Sequence, residues 1–132
     1  MPGPIVVDAS AFVDLLIGAD ASDQISERLA DMDVHVPAHF DAEVLSAIGR
    51  LHRAGRLTED QVTLRLEQVA AAEMLRHPLA TLLLGAWRRR HQIQLYDALY
   101  VELAERLACP LVTTDRRLLA TASVAELVGP AG

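Results

Sequence analysis

Two short apolar runs, Ile5-Val6-Val7 and Leu111-Val112-Thr113, lie near opposite ends of this chain, and each leads into an aspartate, Asp8 and Asp115. Runs this short, bounded by polar residues, are the mark of strands buried on both faces. Between them apolar residues recur mostly at helical spacing. Strands separated by helices need crossover connections, so the chain is constrained to a short, mainly parallel sheet.

The intervening pattern supports this. Phe12, Val13, Leu16 and Ile17 mark a helix over Ala9 to Ile17 that Gly18 stops. A second helix is expected from Ser22 to Asp31, with Ile25 and Leu29 inward, then a strand at Val34-His35-Val36 ended by Pro37. From His39 to Ala54 the inward face is Val44, Leu45, Ile48 and Leu51, with Gly55 as cap. Thr58-Glu59-Asp60-Gln61 has the form of a capping box and opens a helix carrying Val62, Leu66 and Val69.

Glu73 to Arg76 reads equally as a helix end or a short edge strand. Leu79, Leu82, Leu83, Ala86 and Trp87 form the next helical stripe. Asp97 opens a helix to Ala108, Arg116 to Ala122 is a short helix, and Leu127-Val128 is a candidate last strand before a Gly-Pro-Ala-Gly tail. The sum is a three-layer α/β/α fold. With 132 residues, 52% of them hydrophobic, residues 1–132 suit one domain with a real core. No apolar run is long enough to span a bilayer and no signal peptide is evident, so a cytoplasmic protein is expected. The single cysteine, Cys109, has no partner for a disulfide or zinc site and is read as a small apolar residue.

All twelve basic residues are arginine. Without lysine there is no P-loop and no Schiff-base chemistry. A net charge of -6 runs against a nucleic-acid partner unless arginines cluster locally, as Arg88-Arg89-Arg90, Arg116-Arg117 and the Arg50, Arg53, Arg56 series do. The arginine run at 88–90 also reads as a solvated helix end favoured by the macrodipole.

Four carboxylates stand where strands stop or helices start: Asp8, Glu43, Asp97 and Asp115. Ligands of open parallel sheets gather outside the carboxyl ends of the strands, where Asp8 and Asp115 fall. Oxygen-only ligands suit magnesium or manganese, and such a cluster can activate water and stabilise a phosphodiester under in-line attack. Without a cation the acids repel, and the site should be poorly ordered or take up an arginine. Singly, Asp97 and Asp115 read equally well as helix caps, and Glu43 as a solvated helix acid. Asp14 and Asp41 read as surface acids, Asp41 lying close enough to Glu43 to be a substitute ligand. Ser10 and Thr113 could steady a carboxylate or serve as caps. No histidine has zinc spacing; His39 is the least improbable to take part.

These residues resemble a known family. Ile5-Val6-Val7-Asp8-Ala9-Ser10-Ala11, Glu43 after Pro37, Tyr96-Asp97-Ala98-Leu99-Tyr100, and Leu111-Val112-Thr113-Thr114-Asp115-Arg116-Arg117-Leu118 are similar, in order and spacing, to PIN-domain ribonucleases of the VapC toxin type. The resemblance implies a metal-dependent endoribonuclease in which Asp8, Glu43, Asp97 and Asp115 hold Mg2+ or Mn2+ and Thr113 assists. It also implies an RNA substrate such as transfer or ribosomal RNA, a homodimer, and a small VapB-type antitoxin whose tail lies across the acidic pocket. Two positions depart from the pattern: Arg117 stands where many relatives have another acid, and Gln94 where a small hydroxyl residue is frequent. Two rival readings remain at this stage, a non-catalytic PIN-like interaction module and a signalling domain with Asp8 or Asp115 as phospho-acceptor. The missing lysine counts against the latter.

Overall fold

The computed structural model describes residues 2–128. Five strands, β1 (Pro4–Val7), β2 (Asp33–Pro37), β3 (Leu75–His77), β4 (Leu111–Thr113) and β5 (Ala125–Leu127), form one sheet in the order β3-β2-β1-β4-β5. Every pairing is parallel, with Val6 opposite His35 on one side and Leu111 on the other. The helices α1 (Ala9–Ile17), α2 (Ser22–Leu29), α3 (Phe40–Arg53), α4 (Glu59–Ala71), α5 (Leu83–Arg88), α6 (Leu95–Arg106) and α7 (Arg116–Thr121) flank it, giving the expected three layers. Residues 129–132, the expected tail and the last part of the 1–132 domain, lie outside the described residues.

Local chemistry explains the elements. Ile5, Val6, Val7, Leu111 and Val112 are fully buried, as apolar runs in the middle of a two-sided sheet must be. Gly18 ends α1 in a left-handed conformation (φ 68°) that a side chain would strain. The Thr58–Gln61 capping box is complete, with both reciprocal bonds made. Aliphatic side chains of α6, Val101, Leu103 and Ala104, are buried, and this helix packs on β1, β2 and β4. Among the described residues no helix is long and apolar enough to cross a membrane.

Several expectations change. Of the segment Glu73 to Arg76, read as a helix end or an edge strand, Leu75 and Arg76 enter the edge strand β3 with His77, after extended backbone at Ala72. Leu79–Leu82 is a 3₁₀ turn rather than α-helix. Three residues per turn instead of 3.6 shift the register, and Leu83 and Trp87 face outward with more than half of each exposed. Leu45 likewise points to solvent, leaving Phe40, Val44 and Ile48 as the buried stripe of α3. The second helix stops at Leu29, just before Asp31 takes a positive φ of 60°, and the last strand begins at Ala125. Asp97 does not open its helix: α6 starts at Leu95 with extended Gln94 as cap, so Asp97 lies inside the first turn with its carboxylate free of capping.

Candidate functional site

The strand order reverses direction between β1 and β4, and the crevice beyond their carboxyl ends is where open parallel sheets bind ligands. Asp8 follows β1 and Asp115 lies two residues past β4. Asp97 comes from the first turn of α6 and Glu43 from the first turn of α3, bringing residues distant in the chain to one edge.

Asp8 is 5% exposed. Its Oδ1 caps α1 by accepting from the Ala11 amide at 2.9 Å and from the Ser10 hydroxyl at 3.0 Å. Burial lifts its pKa to about 6, although hydrogen bonds from Thr113, Ala11 and Ser10 pull the other way, and Asp97 adds a smaller upward push. Thr113 is fully buried and serves both acids: it bonds Asp8, and its Oγ1 accepts from the Asp115 amide at 2.9 Å. The expectation that its hydroxyl steadies a neighbouring carboxylate fits this geometry.

Asp97 sits at the electrostatic centre. Its pKa is raised, first by burial and then by the charges of Asp115 and Glu43, with Arg117 and His39 opposing. Glu43 is held by the Tyr100 hydroxyl, which donates to its Oε1 at 2.7 Å, and by His39 Nε2 at 3.3 Å. Burial and the Glu43 charge together push the Tyr100 phenol upward, so it stays a donor. Asp115 both caps α7 and meets Arg117 through Nε at 3.2 Å and Nη2 at 3.0 Å, which holds its carboxyl below the usual range. A cation-free acid cluster was expected to attract an arginine, and Arg117 of the same chain fills that role.

As the side chains stand, no three His, Cys, Asp or Glu residues among those described group closely enough to hold one ion together. Asp115 is engaged by Arg117, and Glu43 by Tyr100 with His39. Magnesium needs only one or two protein carboxylates beside waters and substrate oxygens. An oxygen-only set with mutually repelling acids at its centre therefore fits a hard cation.

Other candidates fall away from this edge. Asp41 is taken by Arg76, through Nε at 2.7 Å and Nη2 at 3.1 Å, which removes it as a substitute ligand. Arg89 bonds Glu102 at 3.1 Å and Glu105 at 2.9 Å, so the arginine run is not wholly solvated. Tyr100 enters the sequence reading as the last residue of the Tyr96-Asp97-Ala98-Leu99-Tyr100 stretch, with no role of its own, yet its hydroxyl anchors Glu43. Its position three residues after Asp97, on one helix face, was the available signal.

A parallel five-stranded domain with acids beyond β1, β4 and the first turns of α3 and α6 defines a PIN domain, and the PIN-domain model matches residues 5–124. Ribonuclease VapC3 of Mycobacterium tuberculosis is 50% identical over 129 residues, 97% of this chain and 94% of that protein. The chain belongs to the VapC family of PIN-domain proteins. Among solved structures, PAE2754 from Pyrobaculum aerophilum is 26% identical, with TM-score 0.69 over 93% of this chain and 82% of that one. VapBC2 from Rickettsia felis, solved bound to a DNA fragment, shares the fold at TM-score 0.70 and 14% identity over 95% and 98% of the two chains.

Proposed function

We propose that this protein is a metal-dependent endoribonuclease, the toxin of a toxin–antitoxin pair, that hydrolyses RNA phosphodiester bonds. The observation that carries the reading is Asp97, a half-buried carboxylate whose pKa is raised by burial and then by two further acids at the switch point of a PIN-domain sheet. The name of the half-identical Mycobacterium tuberculosis relative, a ribonuclease, supports the same reading.

Bound Mg2+ or Mn2+ would supply Lewis acidity toward the phosphodiester and toward water. Asp8 and Asp97 are the residues best placed to hold it, with Glu43 and Asp115 beside them. Thr113 and Ser10 hold the Asp8 carboxylate in one orientation, and the Tyr100 hydroxyl does so for Glu43. Asp8 must give up any proton it carries when a cation is taken up, so cation affinity should fall as pH drops below about 6. Release of Asp115 from Arg117 frees a further carboxylate.

The partners follow from the family: an RNA substrate such as transfer or ribosomal RNA, a VapB-type antitoxin covering the acidic edge, a second copy in a homodimer, and a cytoplasmic setting. One observation favours a rival, the non-catalytic PIN-like module, namely that no three described acids are grouped around one point. Purified protein incubated with total RNA and Mg2+ or Mn2+, with a chelator control and Asp97→Asn, decides between them. New 5′ ends that need the ion and Asp97 are expected. RNA left intact by the wild-type chain in Mn2+, while an antitoxin peptide still binds, would refute the nuclease reading.

A further inference from the structure

Next to the acids, between α3 and the start of α6, lies a recess of ≈ 540 Å3 lined by His39, Glu43, Ser46, Arg50, Leu79 and Tyr96 among others. That volume is in the range of small-ligand sites, roughly 300–1,000 Å3. Because Glu43 belongs to both, an occupant of the recess lies beside the acidic edge.

Two of its residues present groups that the fold leaves largely available, the Tyr96 ring and the Arg50 guanidinium. Tyr96 is 67% exposed although it is a large aromatic directly before Asp97. Its backbone is fixed, since His39 Nε2 lies 3.1 Å from the Tyr96 carbonyl, and its ring centroid is 5.7 Å from that of His39. The ring itself is left open to solvent. Arg50 bonds the Ser46 hydroxyl at 2.8 Å and has no ion-pair partner among the described residues. Its guanidinium lines the same recess as Tyr96 and so offers a positive charge beside the open ring.

An open aromatic face takes an unstacked base, and a guanidinium with a neighbouring hydroxyl takes a phosphate. We infer that this recess is a subsite for one single-stranded nucleotide of the RNA flanking the cut bond, with its base on Tyr96 and a phosphate on Arg50. The identity of the ligand as RNA rests on the nuclease reading above. A peptide reaching the acids with basic side chains would meet Arg50 as a like charge, which favours the nucleotide.

The test is fluorescence anisotropy of a labelled single-stranded RNA hexamer with the full chain in EDTA, where no cleavage occurs. Tyr96→Ala should weaken binding by about 5- to 150-fold, the usual range for one stacked base, and Tyr96→Phe should restore it. An abasic hexamer should bind wild type and Tyr96→Ala equally. Arg50→Ala should weaken both oligomers and reduce the salt slope by about one. Unchanged binding by Tyr96→Ala, or an equal loss with the abasic oligomer, overturns the subsite. The two readings fail separately. Tyr96-dependent binding without any cleavage in Mn2+ would keep the subsite and sink the nuclease. Wild-type cleavage by both Tyr96→Ala and Arg50→Ala would do the reverse.

Discussion

Asp8→Asn should make the ion-free protein more stable while abolishing its chemistry. A rise in pKa from 3.8 to about 6 in a residue only 5% exposed corresponds to about 3 kcal/mol of free energy against the charged form. The folded state binds the Asp8 proton more readily than the unfolded chain does. Stability from this group therefore falls as pH rises from about 3.8 to about 6, and above that window the full penalty persists. Asparagine keeps the volume without the charge. Its oxygen can still accept from Ala11 and Ser10, and its amide can donate to the Thr113 hydroxyl.

The hydrogen bonds that favour the charged form are already included in that rise, so the gain at neutral pH is about 3 kcal/mol. For 132 residues the unfolding entropy is about 0.28 kcal/mol per kelvin, so Tm should rise by about 11 °C. Thermal and urea denaturation in EDTA at pH 7.5 and pH 4 measures this. The gap should be present at the higher pH, nearly vanish at the lower, and narrow in Mn2+ as the wild type alone gains a ligand. A variant no more stable than wild type at pH 7.5, or a gap of the same size at pH 4, would refute the argument that Asp8 is held charged at a cost.

Arg117→Ala frees Asp115, and calorimetry should find Mn2+ affinity raised by about two- to fivefold, the scale of an exposed ion pair; unchanged affinity would mean Asp115 takes no part. At Gly85→Ala, the new methyl would collide with the Glu102 carboxylate and displace it from Arg89 and Arg106. The lost ion pairs cost about 1 kcal/mol and the helix propensity of alanine in α5 returns about as much, so Tm should move by less than about 4 °C, and a larger fall would mean that Glu102 cannot swing aside. Arg88→Ala with Arg90→Ala should reduce the salt slope of RNA binding if these arginines touch phosphate, and an unaltered slope would leave them as a helix end. Arg89 is left in place in that experiment because its bonds to Glu102 and Glu105 join α5 to α6.

What the sequence made legible follows from the range of the interactions involved. β1, β4, Gly18 and the Thr58 capping box are set by neighbours in the chain, and all are where the residues place them. The acids could be singled out because Asp8 and Asp115 follow strands and Glu43 and Asp97 fall in the first turns of helices, features that hold whatever the tertiary packing. The orientation of α5 was not legible, since whether Leu79–Leu82 winds as 3₁₀ or α changes which of Leu83 and Trp87 points inward. The partners of the acids were hidden for a different reason. That Tyr100 meets Glu43 and that Arg76 claims Asp41 depend on residues far apart in sequence, 57 and 35 positions respectively, and no local pattern reports them.

The middle strand of the sheet is the first one translated, and one of its two neighbours is nearly the last. Val6 and Val7 pair with Leu111 and Val112, so a nascent chain that has emerged only as far as α6 holds Asp8 and Asp97 but has no Thr113 to bond the former and no Asp115 to adjoin the latter. The sheet order thus acts as a timer: the acidic edge of this protein is completed only after the fourth of its five strands has been made, and polypeptides aborted before Leu111 lack it.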